Sequence, residues 1–140
     1  MGDRCYMQIT LHQRDMDRFA AILSTPPGEP WWDEEIDEPA AGLVRVALNE
    51  ANYALYDERE EAARVGVPFL GWHGDGGDYG GYAFASLRGV QREAPINRDG
   101  DLELAVDRDL MPLNGTRYLR LYVAKARAVE RVFGIEEEAA

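Results

Sequence analysis

His73, Asp75 and Asp78 stand close together in the segment Gly71-Trp72-His73-Gly74-Asp75-Gly76-Gly77-Asp78-Tyr79-Gly80-Gly81, which also holds six of the chain's 14 glycines. Imidazole and carboxylate donors suit zinc or manganese. Asp75 and Asp78 alone would suit a weak calcium site, although their spacing is not that of an EF-hand. Three protein ligands plus water make a catalytic metal centre, so the chemistry at issue is metal-assisted hydrolysis, or else small-ligand binding by the loop. Glycine lets backbone amides approach a ligand or adopt positive φ cheaply. The same residues also read as a wide hairpin between two buried strands, its glycines serving the turns. A phosphate cradle is excluded: GxxxxGK[ST] is missing, and the Gly76-Gly77 pair precedes a strand-like segment rather than a helix.

The remaining reactive groups are few. Cys5 lies in a predicted strand, where it packs as a small hydrophobe with only Arg4 near enough to lower its pKa. His12 falls at a strand-to-helix junction and turns or caps the chain there. With two histidines in all, any His-based mechanism must use His12 or His73. Ser24 and Ser86 lack a GxSxG context. No catalytic residue and no cofactor are assigned on these grounds.

A stronger signal is acidic. Glu29, Asp33, Glu34, Glu35, Asp37 and Glu38 occupy one stretch without a Lys or Arg, its core bracketed by Pro30 and Pro39, with Trp31 and Trp32 among them. Adjacent indoles are costly to leave in water unless they bury against the body or a partner. The stretch 24–42 reads as an acidic loop with an aromatic anchor, suited to a basic partner. Two more acidic sets follow: Asp57, Glu58, Glu60 and Glu61, and then Asp99, Asp101 and Glu103, with Asp107 and Asp109 beyond. On a strand, Asp99, Asp101 and Glu103 share one face at roughly 6–7 Å spacing, close to that of successive phosphates on a DNA strand.

The whole chain of 140 residues has a formal charge of −11. Such a field repels nucleic acid and anionic membrane and attracts Lys/Arg-rich surfaces. It also keeps a protein soluble, the plainer reading of any charge run. Of 15 basic residues only Lys125 is a lysine, a usage that suggests a GC-rich bacterial or phage genome. Arg117, Arg120, Lys125, Arg127 and Arg131 make the C-terminal part locally basic, so the charge is polarised. A lone cysteine excludes an internal disulfide and fits a reducing compartment. With no signal-peptide core and no membrane-length apolar run, the expected location is the cytoplasm, that of a bacterial host if the gene is a phage's.

The runs Trp32-Asp33-Glu34-Glu35 and Asp57-Glu58-Arg59-Glu60-Glu61, with the small size and polarised charge, resemble the phage and mobile-element proteins that block host nucleic-acid machinery. Anti-CRISPR and anti-restriction inhibitors are among them. These inhibitors share no common fold or signature, so the resemblance carries over no catalytic residue. It implies a non-enzymatic protein that occludes the basic nucleic-acid-binding surface of a partner complex, without binding nucleic acid or membrane itself. Two alternatives stay open: the hydrolase or ligand binder centred on 71–81, and a homodimer with Trp31 and Trp32 in a self-interface.

The elements that must position these groups follow from periodicity. Cys5, Met7, Ile9 and Leu11 alternate with polar residues and predict a strand. Met16, Phe19, Ala20 and Leu23 share a helical face, stopped by Pro26-Pro27-Gly28. Leu43–Leu48 alternates as a second strand. Residues 54–65 predict an acidic-faced helix ending at Gly66. Val67–Trp72 and Tyr82–Leu87 predict two more strands. A turn at Asn97–Gly100 precedes the alternating Leu102, Leu104 and Val106. Leu119, Tyr122, Val123, Ala126, Val129 and Phe133 predict a last helix, followed by a frayed tail at 135–140. The expectation is one α+β domain over 1–140, with a mixed or antiparallel sheet, about three helices packed on it, and the order β-α-β-α-β-β-β-α.

Overall fold

A computed structural model describes residues 3–97 except Pro27, Ala40, Asp78, Arg88 and the side chains of a few strand residues, together with Asp99 and Arg108. The elements run β1 (Arg4–His12), α1 (Met16–Ile22), β2 (Glu34–Asp37), β3 (Leu43–Asn52), α2 (Tyr56–Arg64), β4 (Phe69–His73), β5 (Tyr82–Leu87) and β6 (Val90–Pro95). Single tight turns at Gln13–Asp15 and Tyr53–Leu55 lead into the two helices. The six strands form one sheet in the order β2-β3-β1-β4-β5-β6, with every neighbouring pair antiparallel. The α+β class is as the periodicity predicts.

Two details differ from the sequence expectation. The stretch 24–42 is not wholly loop, because Glu34–Asp37 pairs with β3 as an edge strand. A strand at Val90–Pro95 hairpins directly from β5, through a turn that Gly89 makes at φ 77. The expected strand at 102–106, the last helix and the tail at 135–140 lie outside the described residues.

Alternation explains which face is buried. Cys5, Met7, Ile9 and Leu11 of β1 align with Ala51, Leu48, Val46 and Val44 of β3, and Phe69, Gly71 and His73 of β4 continue the same face. Helices α1 and α2 cover it, contributing Phe19, Ala62 and Ala63 to the core. The other face carries Gln8, Thr10, Arg45 and Trp72, with Tyr6 and Trp72 in ring contact at 5.5 Å. Gly71 lies in the centre of the buried face for a steric reason. A Cβ there would come within 2.2 Å of the Gln8 carbonyl oxygen and 2.7 Å of the Phe84 ring.

Helix α2 lies over β5 and β6, and here the buried face turns polar. The β6 residues paired with Ser86 and Phe84 are Gln91 and Glu93. Their partner is Arg59 of α2, which is 0% exposed. Its guanidinium donates to Gln91 Oε1 and, at 3.1 Å, to Glu93 Oε2, while Nε–H donates to the Ala54 carbonyl at 2.8 Å. The Phe84 ring lies 4.1 Å beneath it in a cation–π contact. Burial pulls the guanidinium below its usual pKa, and Glu93 acts against that pull.

Candidate functional site

The acidic stretch is built on the core rather than beside it. Trp31 is 8% exposed and packs against Phe19, the two rings tilted by 36° with centroids 4.7 Å apart. Trp32 meets Trp31 edge-on at 5.5 Å and is half-buried. The first indole therefore anchors the segment to the protein's own body. Asp33 pins the start of β2: its N–H donates to the Ala47 carbonyl at 2.9 Å, and its carboxylate accepts the Asn49 N–H at 2.7 Å. At the other end Asp37 pairs with Arg45 at 3.0 Å, and Glu38 accepts from Gln13 at 3.2 Å. All four residues of β2 are exposed. Among the described residues Glu34 and Glu35 have no ion pair, and β2 is one edge of the sheet. Glu29 is exposed on the approach to this segment.

The other acidic sets separate. Glu60 accepts from Gln91, and Glu61 is tied to Arg64 one turn on, whose hydrogen bond lowers the Glu61 pKa. Asp99 lies in the turn expected at Asn97–Gly100 and donates its N–H to the Asn97 side chain at 2.9 Å. Asp101 and Glu103 lie outside the described residues. Asp57 and Glu58 instead stand at the rim of a cleft.

That cleft has a volume of about 570 Å³. It opens where β3 and β4 end and β5 begins, under the first turn of α2. His73 lies in it, 2% exposed, with Nδ1 2.8 Å from the Gly74 carbonyl. This geometry assigns the proton to Nδ1 and leaves Nε2 as an acceptor. The imidazole is packed among rings: Tyr79 at 5.7 Å, Tyr82 at 5.8 Å and Phe84 at 6.3 Å. Tyr53 extends the wall, 6.4 Å from Tyr79, and Tyr56 and Glu93 line the cleft as well. Of the trio His73, Asp75 and Asp78, the described residues include only the first two. Asp75 is exposed, Asp78 lies outside the described residues, and no three His, Cys, Asp or Glu side chains among the described residues are grouped to hold a metal ion.

The backbone at the mouth of the cleft is unusual. Tyr53, Ala54 and Leu55 have φ of 51, 53 and 53, three successive non-glycine residues in the left-handed region. Each costs about 1–2 kcal/mol in that conformation, and such strain concentrates at working sites. Hydrogen bonds to neighbouring segments hold it. Tyr53 N–H donates to the Asp3 carbonyl at 2.7 Å, and the Ala54 carbonyl accepts from Arg59. The Tyr79 hydroxyl donates to the same Asp3 carbonyl at 2.5 Å. Gly76 fits closely under Tyr79, where a Cβ would overlap the ring. Burial raises the pKa of the Tyr79 and Tyr56 phenols, so both remain protonated donors near neutral pH.

Burial also holds the His73 imidazole below its ordinary value of 6.5; the Gly74 carbonyl opposes this, Arg59 reinforces it, and Glu93 and Asp75 oppose it. The unfolded chain therefore takes up the proton first as pH falls. The contribution of a neutral His73 is complete above the unfolded value and is lost as pH drops toward the folded one. Thermal unfolding between roughly pH 7 and pH 5 should show a falling Tm that is flatter in His73→Phe. Identical slopes in the two proteins would mean that another group titrates.

Periodicity could not find the cleft, since Tyr53, Tyr56, Tyr79, Tyr82 and Glu93 come from four separate segments. No protein-family model, no curated protein and no solved structure matches the chain. Among the described residues no helix is long and apolar enough to cross a membrane.

Proposed function

We propose that this chain is a non-enzymatic binding protein that engages a basic surface on a partner complex handling nucleic acid, in the manner of an anti-CRISPR or anti-restriction inhibitor. The observation that carries the reading is β2. It is an edge strand of four exposed residues, three of them acidic, fixed in register by Asp33 and Asp37. A strand so placed offers main-chain hydrogen-bonding groups together with carboxylates, the combination that an extended basic segment complements. Like charges discourage pairing with a second copy of the same strand, which favours a different partner. The net charge of −11 supplies steering at longer range.

The test is a pull-down from bacterial lysate with the native chain and with a Glu34→Lys/Glu35→Lys variant, quantified by mass spectrometry. A set of basic, nucleic-acid-handling proteins should be retained by the first and lost by the second. With the captured partner in hand, the variant should associate more slowly and with a weaker salt dependence, because steering acts before contact. Equal capture by both proteins, or an unchanged on-rate at low salt, would end the proposal.

A further inference from the structure

The geometry points to the cleft at the end of the sheet as a second, separate binding site, one that takes an organic cation of the alkylammonium class. At about 570 Å³ the cleft is of small-molecule size. Its wall is a continuous run of rings, Tyr53 to Tyr79 at 6.4 Å, Tyr79 to His73 at 5.7 Å and His73 to Tyr82 at 5.8 Å. Aromatic faces attract a cation through the ring quadrupole, and most strongly one that is weakly hydrated, such as a methylated ammonium.

The charges agree with the rings. Asp57, Glu58 and Glu93 line the cleft against one guanidinium, that of Arg59. Arg59 is fully buried and already committed to Glu93, Gln91, the Ala54 carbonyl and the Phe84 face, so it does not offer an anion site. His73 adds no positive charge at neutral pH, because burial keeps its imidazole uncharged. A hydrated metal ion would need grouped ligands, and the described residues present no such group. The strained turn supplies the last indication. It carries Tyr53, 54% exposed, at the edge of the wall, on backbone that a glycine would adopt without strain. This site is independent of β2 and needs no protein partner.

The experiment is a titration of the isolated full chain with choline, with trimethyllysine, and with 3,3-dimethylbutan-1-ol, the uncharged isostere of choline, followed by saturation-transfer NMR at low salt. At least one of the two cations should bind saturably, about tenfold more tightly than the isostere. Glu58→Gln should weaken that binding by roughly threefold or more, and raised salt should weaken it as well. Tyr53→Gly should weaken it by about fivefold while leaving Tm unchanged or raised, since the strain is relieved as the ring is lost. The proposal is overturned if neither cation saturates below roughly 10 mM, a free energy too small for a built site. Equal binding of choline and its isostere overturns it too, as does binding that survives both substitutions or preferential binding of inorganic phosphate.

Discussion

Replacing Arg59 with alanine should destabilise the fold by about 3–5 kcal/mol, read as a fall in the urea midpoint at constant slope. The reason is what the side chain leaves behind. Glu93 loses its cation at the wall of the cleft, Gln91 and the Ala54 carbonyl lose a donor, and the face of Phe84 loses the charge that lies 4.1 Å above it. The guanidinium is itself fully buried, so its removal also empties a packed site beside acceptors that lose their donor. Lysine should recover only part of the loss. It keeps the charge, but not the planar fork that reaches three acceptors while stacking on a ring. Combining Arg59→Met with Glu93→Gln should be less damaging than Arg59→Met alone, since no unpaired charge then remains. A loss below about 1 kcal/mol for Arg59→Ala would show that water replaces the guanidinium at the acceptors it leaves.

Trp31→Ala should be comparably severe, about 3–5 kcal/mol, because a core indole is replaced by a cavity beside Phe19. The contrast that gives this meaning is Trp31→Phe, expected to cost no more than about 1 kcal/mol. The indole Nε1 is buried and has no hydrogen-bond partner among the described residues, so phenylalanine forfeits only shape. Trp32, half-buried at the margin, should tolerate alanine better in the free protein. These outcomes separate a structural indole from one that serves a partner. A Trp31→Ala variant that melts normally but binds poorly would return Trp31 to the surface role its sequence position suggests.

Several elements were legible in the sequence because one face of each is apolar. β1 and β3 alternate and α1 repeats near 3.6 residues, as buried-face packing demands. β2 was not legible: Glu34, Glu35 and Asp37 are poor strand formers, and pairing with β3 alone holds them extended. β6 was hidden for a different reason. Its core-facing positions are Gln91 and Glu93, which look solvent-facing until Arg59 of a distant helix is known to meet them. The left-handed turn at Tyr53–Leu55 carries no glycine, and asparagine only before it, so no local residue announces it. His73 stood out in the sequence, yet as a metal donor beside Asp75; in the fold it is the floor of an aromatic wall. What a residue touches across the sheet decided its role, and that is the information a linear reading lacks.

The paired acceptance at the Asp3 carbonyl has a practical corollary. Tyr53 and Tyr79 belong to segments far apart in the chain, and one oxygen next to the first strand clips both together. Asp3 is thus a joint between the start of β1 and the mouth of the cleft. A label attached beside that joint would bear on both tyrosines. A handle engineered at an exposed position on α2, such as Arg64, would instead leave the clip untouched.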